Sequence, residues 1–269
     1  MRLTFTKEKI QKRYTFKYTE DVNIEDVVNS NKVDVFTVDM ASIWDRIAFS
    51  GFNSSNVEEG ELEEVMESSK AIFKIVDFRL DNTGKIIKIN NYEAINKKWN
   101  TVKSQKLSHI TDVNRKNFIF EISKTIKNEE YLTKLIRYYN VFPYLFLGLY
   151  NHDYTTGIPF RAETTVYNIF PLTKLPVVLD IYGKEEGKNK VLKFTGKEKH
   201  DFDRFLYMEI IGNKYPELRE IDNSIFDAKI EGEYIYDENS SLSNFEINVN
   251  IKAKGVVKYN LNYSMSEVE

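Results

Sequence analysis

Three runs near the C-terminus alternate apolar and polar residues, and this alternation constrains the fold more than any other feature of the sequence. The clearest run, residues 245–251, has an apolar side chain at every second position. A period of two describes a strand with one buried face and one solvated face. Runs 230–236 and 256–263 have the same period, and short polar turns join all three. The sequence therefore predicts an antiparallel meander with one wet face.

Strand and hairpin patterns also occur earlier in the chain. Residues 13–18 alternate aromatic and polar side chains, and residues 72–89 contain two strands around the polar turn Asp-Asn-Thr-Gly at 81–84. Glycine at the end of such a turn supplies the positive φ that a hairpin needs. A second hairpin with a longer charged loop is predicted at 177–194. The high content of Phe and Tyr, 18 and 17 residues, also favours sheet.

The middle of the chain has helical spacing instead. Apolar residues recur every three or four positions between residues 92 and 140, and Asn128 before two glutamates indicates two helices that meet there. The ten most apolar residues, 141–150, follow at once, and they are far fewer than the ~20 that a membrane-spanning helix needs. The fold class predicted is α+β, with antiparallel β hairpins and a meander packed on a central helical segment, about residues 92–140.

The same patterns predict a division of the chain into three regions. An N-terminal α+β region covers 1–110 and includes the hairpin at 72–89, a central helical spine covers 111–150, and a C-terminal antiparallel β region covers 151–269. The alternative is one continuous domain. A chain of 269 residues buries roughly 75% of its unfolded surface, which is enough for a large core in either case.

Composition excludes several classes of function. The net charge is −3, from 38 basic and 41 acidic residues dispersed along the chain, which argues against nucleic-acid binding. The absence of cysteine excludes disulfides, thiolate metal sites and cysteine nucleophiles. The first ten residues lack the apolar run of a secretory signal, so the expected location is cytoplasmic or within an assembled particle.

The candidates for catalysis are His109 and the pairs His152-Asp153 and His200-Asp201. Metal-dependent phosphohydrolases of the HD type use such residues to hold two metal ions. The pattern fits badly, because those ligands come from a helical bundle whereas His152 lies in a polar turn between predicted strands. The familiar glycine-rich and HExxH motifs do not occur. We therefore predict no catalytic site, no metal site and no cofactor.

Two binding surfaces are predicted. If the sheet curls incompletely around the central helices, an apolar ligand would contact Phe142, Tyr144, Phe146 and Leu149, as in half-barrel lipid and lipoprotein carriers, an analogy of architecture only. The competing interpretation is a filled core. An acidic run would bind a basic protein partner, and its competing interpretation is a solvated helix face. The acidic residues are Glu58, Glu59, Glu61, Glu63, Glu64 and Glu67.

These observations predict a non-enzymatic interaction or structural protein that binds protein partners, including further copies of itself. The roles considered are a subunit of a phage particle or secretion apparatus and an immunity-type inhibitor. The alternative is a carrier of an apolar small molecule or lipid, and a hydrolase built on scattered His and Asp residues is the third hypothesis.

Overall fold

The computed structural model describes residues 1–24, 28–51, 62–137, 141–154, 157–167, 174–214, 226–253 and 257–268. These residues form eleven strands and six α-helices. The strands are β1 (Ile10–Ile24), β2 (Val28–Ile43), β3 (Arg46–Ser50), β4 (Ile75–Leu80), β5 (Ile86–Ile89), β6 (Phe160–Tyr167), β7 (Lys174–Glu186), β8 (Asn189–Glu198), β9 (Phe226–Tyr236), β10 (Leu242–Ala253) and β11 (Val257–Glu267). The helices are α1 (Glu63–Lys70), α2 (Tyr92–Gln105), α3 (Val113–Lys127), α4 (Glu129–Arg137), α5 (Phe142–Leu145) and α6 (Arg204–Lys214), and a 3-10 turn covers Ala71–Phe73.

All eleven strands belong to one antiparallel sheet, in the order β5-β4-β3-β2-β1-β11-β10-β9-β8-β7-β6. The prediction of an antiparallel, β-rich α+β protein is confirmed. Strands β9, β10 and β11 are the predicted meander, and β4–β5 and β7–β8 are the predicted hairpins. β2 and β3 are joined by the two residues Trp44 and Asp45.

The first and last strands of the chain lie side by side in the middle of the sheet. β1 pairs with β11 from Tyr14 opposite Glu267 to Ile24 opposite Val257. The N-terminal half of the chain therefore extends the sheet to one side, and the C-terminal half extends it to the other. The sequence-based boundaries near residues 110 and 150 stay a prediction.

The sheet has one buried face and one solvated face, as the alternation predicts. Along β10, Phe245, Ile247, Val249 and Ile251 are all buried, while the residues between them are not. The same alternation continues in β1 and β11, so one face of the central strands supplies a continuous apolar core.

The sheet curls around residues 142–150, which we call the core segment. In the strand order, β4 and β6 are separated by nine inter-strand spacings, which would put them roughly 43 Å apart in a flat sheet. Each nevertheless contacts one of two adjacent residues of the core segment. The Phe78 ring of β4 lies 5.2 Å from the Phe142 ring, and the Thr164 hydroxyl of β6 donates a hydrogen bond to the Pro143 carbonyl at 2.9 Å. Only strong curvature brings the two strands to one place.

The helices before the core segment form a layer beside strand β5. Asn128 separates α3 from α4, and its Oδ1 accepts a hydrogen bond from the Tyr131 N–H at 2.9 Å, which satisfies a free donor at the start of α4. Trp99 of α2 is fully buried and donates to the Ser123 hydroxyl of α3 at 3.0 Å. α4 then packs against β5, so the helical layer reaches the sheet at this edge.

Candidate functional site

The core segment begins with an aromatic cluster. Phe142 is 3% exposed, and its ring centroid lies 5.6 Å from that of Phe49 on β3 and 5.8 Å from that of Phe146. Phe146 is half-buried and also contacts Phe49 and Phe78, at 6.1 and 5.6 Å. These edge-to-face and tilted geometries are the favoured ones for aromatic rings. Two of the four predicted ligand-binding residues therefore lie together against the N-terminal half of the sheet.

The next residues of the core segment face the C-terminal half. The Tyr144 ring lies 5.8 Å from the Tyr263 ring of β11, and the Tyr144 carbonyl accepts a hydrogen bond from the Tyr234 hydroxyl of β9 at 2.7 Å. Burial raises the pKa of both Tyr144 and Tyr234 well above the ordinary value, which keeps both phenols neutral. Leu149 is buried, and its carbonyl accepts a hydrogen bond from the Tyr154 hydroxyl at 2.7 Å.

Tyr150 closes one end of the curled sheet. Its backbone N–H donates to the Thr83 carbonyl at 2.8 Å, and its hydroxyl donates to the Ser240 carbonyl at 3.3 Å. Thr83 lies in the β4–β5 turn and Ser240 in the β9–β10 turn, so one residue joins the two halves of the sheet. The Phe5 ring stacks on Tyr150 with centroids 4.4 Å apart, which covers this end from outside.

The two turns that Tyr150 joins have the same hydrogen-bond pattern. In the first, Asp81 Oδ1 accepts from the N–H groups of Thr83 and Lys85 at 2.8 and 3.0 Å. In the second, Asp237 Oδ1 accepts from the N–H groups two and four residues later, both at 2.9 Å. Burial acts to raise the pKa of Asp81, but the hydrogen bonds from the Thr83 hydroxyl and these N–H groups outweigh it and hold the pKa below its ordinary value.

The other end of the core segment lies under an open cleft between the sheet edges β5 and β6. The cleft has a volume of about 390 Å³. Its floor is apolar and consists of Phe142, Pro143, Phe146 and Leu147. Among the strands that the structure describes, β5 and β6 are the two outermost and do not pair with each other, so the curl of the described sheet is incomplete at this point.

Three cationic side chains and one carboxylate line the same cleft: Lys85, Arg137, Lys199 and Glu163. Arg137 donates from Nη2 to the Ile87 carbonyl of β5 at 3.2 Å, while its Nε is buried and has no acceptor among the described residues. Lys199 Nζ lies 2.9 Å from a Glu163 oxygen, and hydrogen bonding to Glu163, with Asp201 nearby, raises the pKa of Lys199. The cleft therefore combines an apolar floor with a net positive rim.

A second, smaller cavity lies on the other side of Phe146, between Phe5, Trp44 and Tyr150. Its volume of about 60 Å³ is enough for one or two water molecules but too small for an organic ligand. Of these two spaces beside Phe146, only the cleft has the size of a ligand site.

The structure separates the three histidines that the sequence singles out. The His152 ring stacks on Phe160 at 4.0 Å, His200 is exposed next to Lys199, and His109 lies 3.3 Å from Glu64 of α1. Within the part of the chain that the structure describes, no group of three or more His, Asp or Glu side chains could hold a metal ion.

The predicted partner-binding surface is described only in part. Glu58, Glu59 and Glu61 lie outside the described residues, and of Glu63 and Glu67 only the backbone of α1 is described. Glu64 is exposed at the point where it meets His109. This surface stays a prediction. None of the helices within the described ranges is long and apolar enough to cross a membrane.

Comparison with known proteins does not assign a family. No family model matches the sequence, and no curated protein matches it. Among solved structures the chain is similar to one titled "Lipid-protein interactions in lipovitellin", with a TM-score of 0.49 and 7% sequence identity. The match covers 98% of this chain and 25% of that one, so the chain spans about a quarter of that protein's length. A likeness this distant bears on neither the fold nor the function.

Proposed function

We propose that this protein binds an amphipathic anionic small molecule in the cleft between β5 and β6. The apolar part of the ligand lies on the floor formed by Phe142 and Phe146, and its acidic group lies among Lys85, Arg137 and Lys199. The sequence led to the hypothesis of a carrier of an apolar small molecule or lipid. The present proposal restricts that ligand to one with an acidic end. The observation that carries the proposal is the combination of an aromatic floor and a cationic rim in one open space.

The size of the cleft supports a ligand of this class. Small-molecule sites have volumes of about 300–1,000 Å³ and an apolar lining with a few convergent polar groups. At about 390 Å³ the cleft is within that range. An apolar chain would cover the exposed part of the half-buried Phe146 side chain, at roughly 25 cal/mol for each Å² buried.

The polar groups favour an anion over a neutral or cationic ligand. The buried Arg137 Nε lacks an acceptor among the described residues, and a buried donor without a partner costs about 1–3 kcal/mol. A carboxylate or phosphate brought to Arg137 accepts charge-assisted hydrogen bonds, which are about twice as strong as neutral ones. Lys85 and Lys199 add positive charge on both sides of the floor.

Calorimetric titration with decanoate and with decanol tests the proposal, because the two probes share a ten-carbon chain and differ in charge. We expect decanoate to bind at least about tenfold more tightly than decanol. The variant Arg137→Gln keeps a polar side chain but removes the charge, so we expect it to weaken decanoate binding and to leave decanol binding unchanged. Lys197→Gln, at an exposed position of β8 outside the cleft, is the matched control.

Two results would contradict the proposal. One is the absence of decanoate binding at millimolar concentration in the folded protein. The other is decanoate binding that Arg137→Gln and Lys197→Gln change to the same extent, because the anion then lies elsewhere.

An interaction or structural role, in a phage particle, in a secretion apparatus or as an immunity-type inhibitor, stays a prediction from the sequence. The exposed Glu64 on α1 is the described part of the acidic surface that such a role uses. A basic partner that binds this surface is expected to lose affinity as salt is added. Charge reversal at Glu64 is expected to weaken the binding of such a partner further, and titration at two ionic strengths measures both effects.

A further inference from the structure

The cations of the cleft differ in whether a carboxylate already neutralises them. Lys199 Nζ lies 2.9 Å from a Glu163 oxygen, so these two charges offset each other. Within the described ranges, neither Lys85 nor Arg137 forms an ion pair. Three cations and one carboxylate leave the cleft with a net charge of +2, and the two uncompensated charges are those of Lys85 and Arg137.

Both uncompensated cations lie on the β5 side of the cleft. Arg137 Nη2 donates to the Ile87 carbonyl at 3.2 Å, which fixes the guanidinium group beside the strand. Lys85 precedes Ile87 by two residues, a distance of roughly 7 Å along an extended chain. Because both side chains line the same cleft, one acidic group bound on this side is within reach of both charges.

A glycine of the core segment makes room for the Lys85 side chain. An ideal Cβ on Gly148 would lie 2.6 Å from Lys85 Cε and 3.1 Å from Lys85 Cγ. The aliphatic stem of Lys85 therefore packs on the backbone of Gly148, which is the usual way for a lysine to cover a surface while its charge stays in solvent. This contact holds the ammonium group beside Leu147, which belongs to the floor of the cleft.

The number of donors and the net charge at these two side chains distinguish between acidic groups. The ammonium group of Lys85 has three donors, and the buried Arg137 Nε has no acceptor among the described residues. A carboxylate carries one negative charge and would leave the cleft at +1. A phosphate monoester carries about −1.5 to −2 charges at pH 7 and has three acceptor oxygens, so it balances both cations.

We propose that the acidic group of the ligand is a phosphate monoester, bound by Lys85 and Arg137 on the β5 side of the cleft. This assignment rests on the function proposed above and specifies the head group of the same ligand. The apolar chain of the ligand then covers the floor of the cleft. A free phosphate ion has the same head-group chemistry but no apolar part to place on that floor.

Calorimetric titration with decyl phosphate, decanoate and inorganic phosphate tests the head group. We expect decyl phosphate to bind about tenfold more tightly than decanoate at about pH 7.5, because its second charge adds a charge-assisted hydrogen bond. Inorganic phosphate is expected to bind at least about tenfold more weakly than decyl phosphate, since it covers no apolar surface.

The outcomes separate this assignment from the proposed function. If decanoate binds and decyl phosphate binds no more tightly, the phosphate head group is wrong and the proposed function stands. Inorganic phosphate that binds as tightly as decyl phosphate would also overturn the assignment, because the site is then one for the free ion. If neither alkyl ligand binds to the folded protein, the proposed function itself fails.

The second ionisation of the phosphate gives an independent test of its charge. The pKa of that ionisation is about 6, so the affinity for decyl phosphate is expected to fall about fivefold between about pH 7.5 and pH 5. Decyl methyl phosphate has the same chain and no second ionisation, so it controls for titration of protein groups, including Glu163 and His200. The same pH dependence for both ligands would overturn the assignment.

Two variants locate the head group within the cleft. Lys85→Gln is expected to reduce the preference for decyl phosphate over decanoate from about tenfold to about threefold, a typical effect of one exposed charge. The double variant Glu163→Gln with Lys199→Gln removes one charge of each sign, so the cleft keeps its net charge and the preference is expected to stay about tenfold. A preference that is lost in the double variant and kept in Lys85→Gln would place the head group at Lys199 and overturn the assignment.

Discussion

The two ends of the core segment are attached to the sheet in different ways. At Tyr150, a backbone N–H and a hydroxyl bind carbonyls from both halves of the sheet, and the space beside them is about 60 Å³. At Phe142, the attachment is mainly ring packing, and the adjoining cleft is about 390 Å³. Directional hydrogen bonds close one end, whereas packing leaves a ligand-sized opening at the other.

The largest effect is expected from Phe142→Ala at the open end. The side chain is 3% exposed and lies against three other phenylalanine rings, so its removal leaves a cavity in the core as well as a damaged cleft floor. We expect the free energy of unfolding to fall by about 3–5 kcal/mol in urea titrations. Val113→Ala, at a 68% exposed position, is the control, with a change within about 0.5 kcal/mol. A fall below 1 kcal/mol for Phe142→Ala would show that packing does not hold this end.

Gly84→Ala, at the closed end, is expected to lower the free energy of unfolding by roughly 2–4 kcal/mol. Alanine is strained at positive φ, and its Cβ would also crowd a neighbouring ring. Gly84 has φ +97°, and an added Cβ would lie 2.7 Å from Tyr150 Cδ2. Gly187→Ala is a matched control, because Gly187 also has positive φ but an added Cβ meets nothing within 4 Å. If the two variants lose the same free energy of unfolding in chemical denaturation, the contact with Tyr150 adds nothing to the cost of Gly84→Ala.

Tyr150→Phe removes only the hydroxyl that reaches the Ser240 carbonyl. We expect a loss of about 0.5–1.5 kcal/mol, the usual net value of one hydrogen bond. Tyr182→Phe, which removes a hydroxyl from a side chain that is 49% exposed, should change stability much less. If both variants unfold at the same denaturant concentration, the hydrogen bond from the Tyr150 hydroxyl to the Ser240 carbonyl contributes nothing to stability.

Asp81→Asn tests the turn through its pH dependence. A carboxyl whose pKa is lowered by folding contributes stability above its unfolded pKa, and this contribution is lost as pH falls through the folded pKa. We therefore expect the variant to be less stable by under about 1 kcal/mol at pH 7, since the site is partly solvated. The difference from the unmodified chain should shrink below about pH 4, the ordinary carboxyl pKa. A pH-independent difference would mean that the carboxyl charge is not involved.

Glu163→Gln, at the open end, is expected to have the smallest effect of these variants, a modest gain in affinity for an anion. The carboxylate now hydrogen-bonds Lys199, and an anionic ligand would compete with it for that lysine. Neutralising Glu163 should raise decanoate affinity about threefold, a typical effect for one exposed charge pair. Decanol affinity should stay unchanged in the same titration, and weaker decanoate binding would place the anion away from Lys199.

The sequence alone determined the local elements of this protein. Period-two alternation predicted the meander, Asp81 to Gly84 predicted a hairpin turn, and Asn128 before two glutamates predicted a helix boundary. These features depend on hydrogen bonds and side-chain spacing among near neighbours, which a short stretch of sequence records. The inward position of Phe142 and Tyr144 followed from their apolar surroundings, while their part in ligand binding stays a prediction.

The way the halves join and the position of the cleft depend on contacts between distant parts of the chain. The pairing of β1 with β11 brings together residues more than 200 positions apart, and no periodicity in either strand specifies the other as its partner. Lys85, Arg137, Glu163 and Lys199 come from four separate parts of the chain, so their convergence leaves no spacing to recognise. Strand order and curvature depend on the sum of many distant contacts. The cleft is a consequence of that sum, because it lies where two edges of the curled sheet approach without pairing.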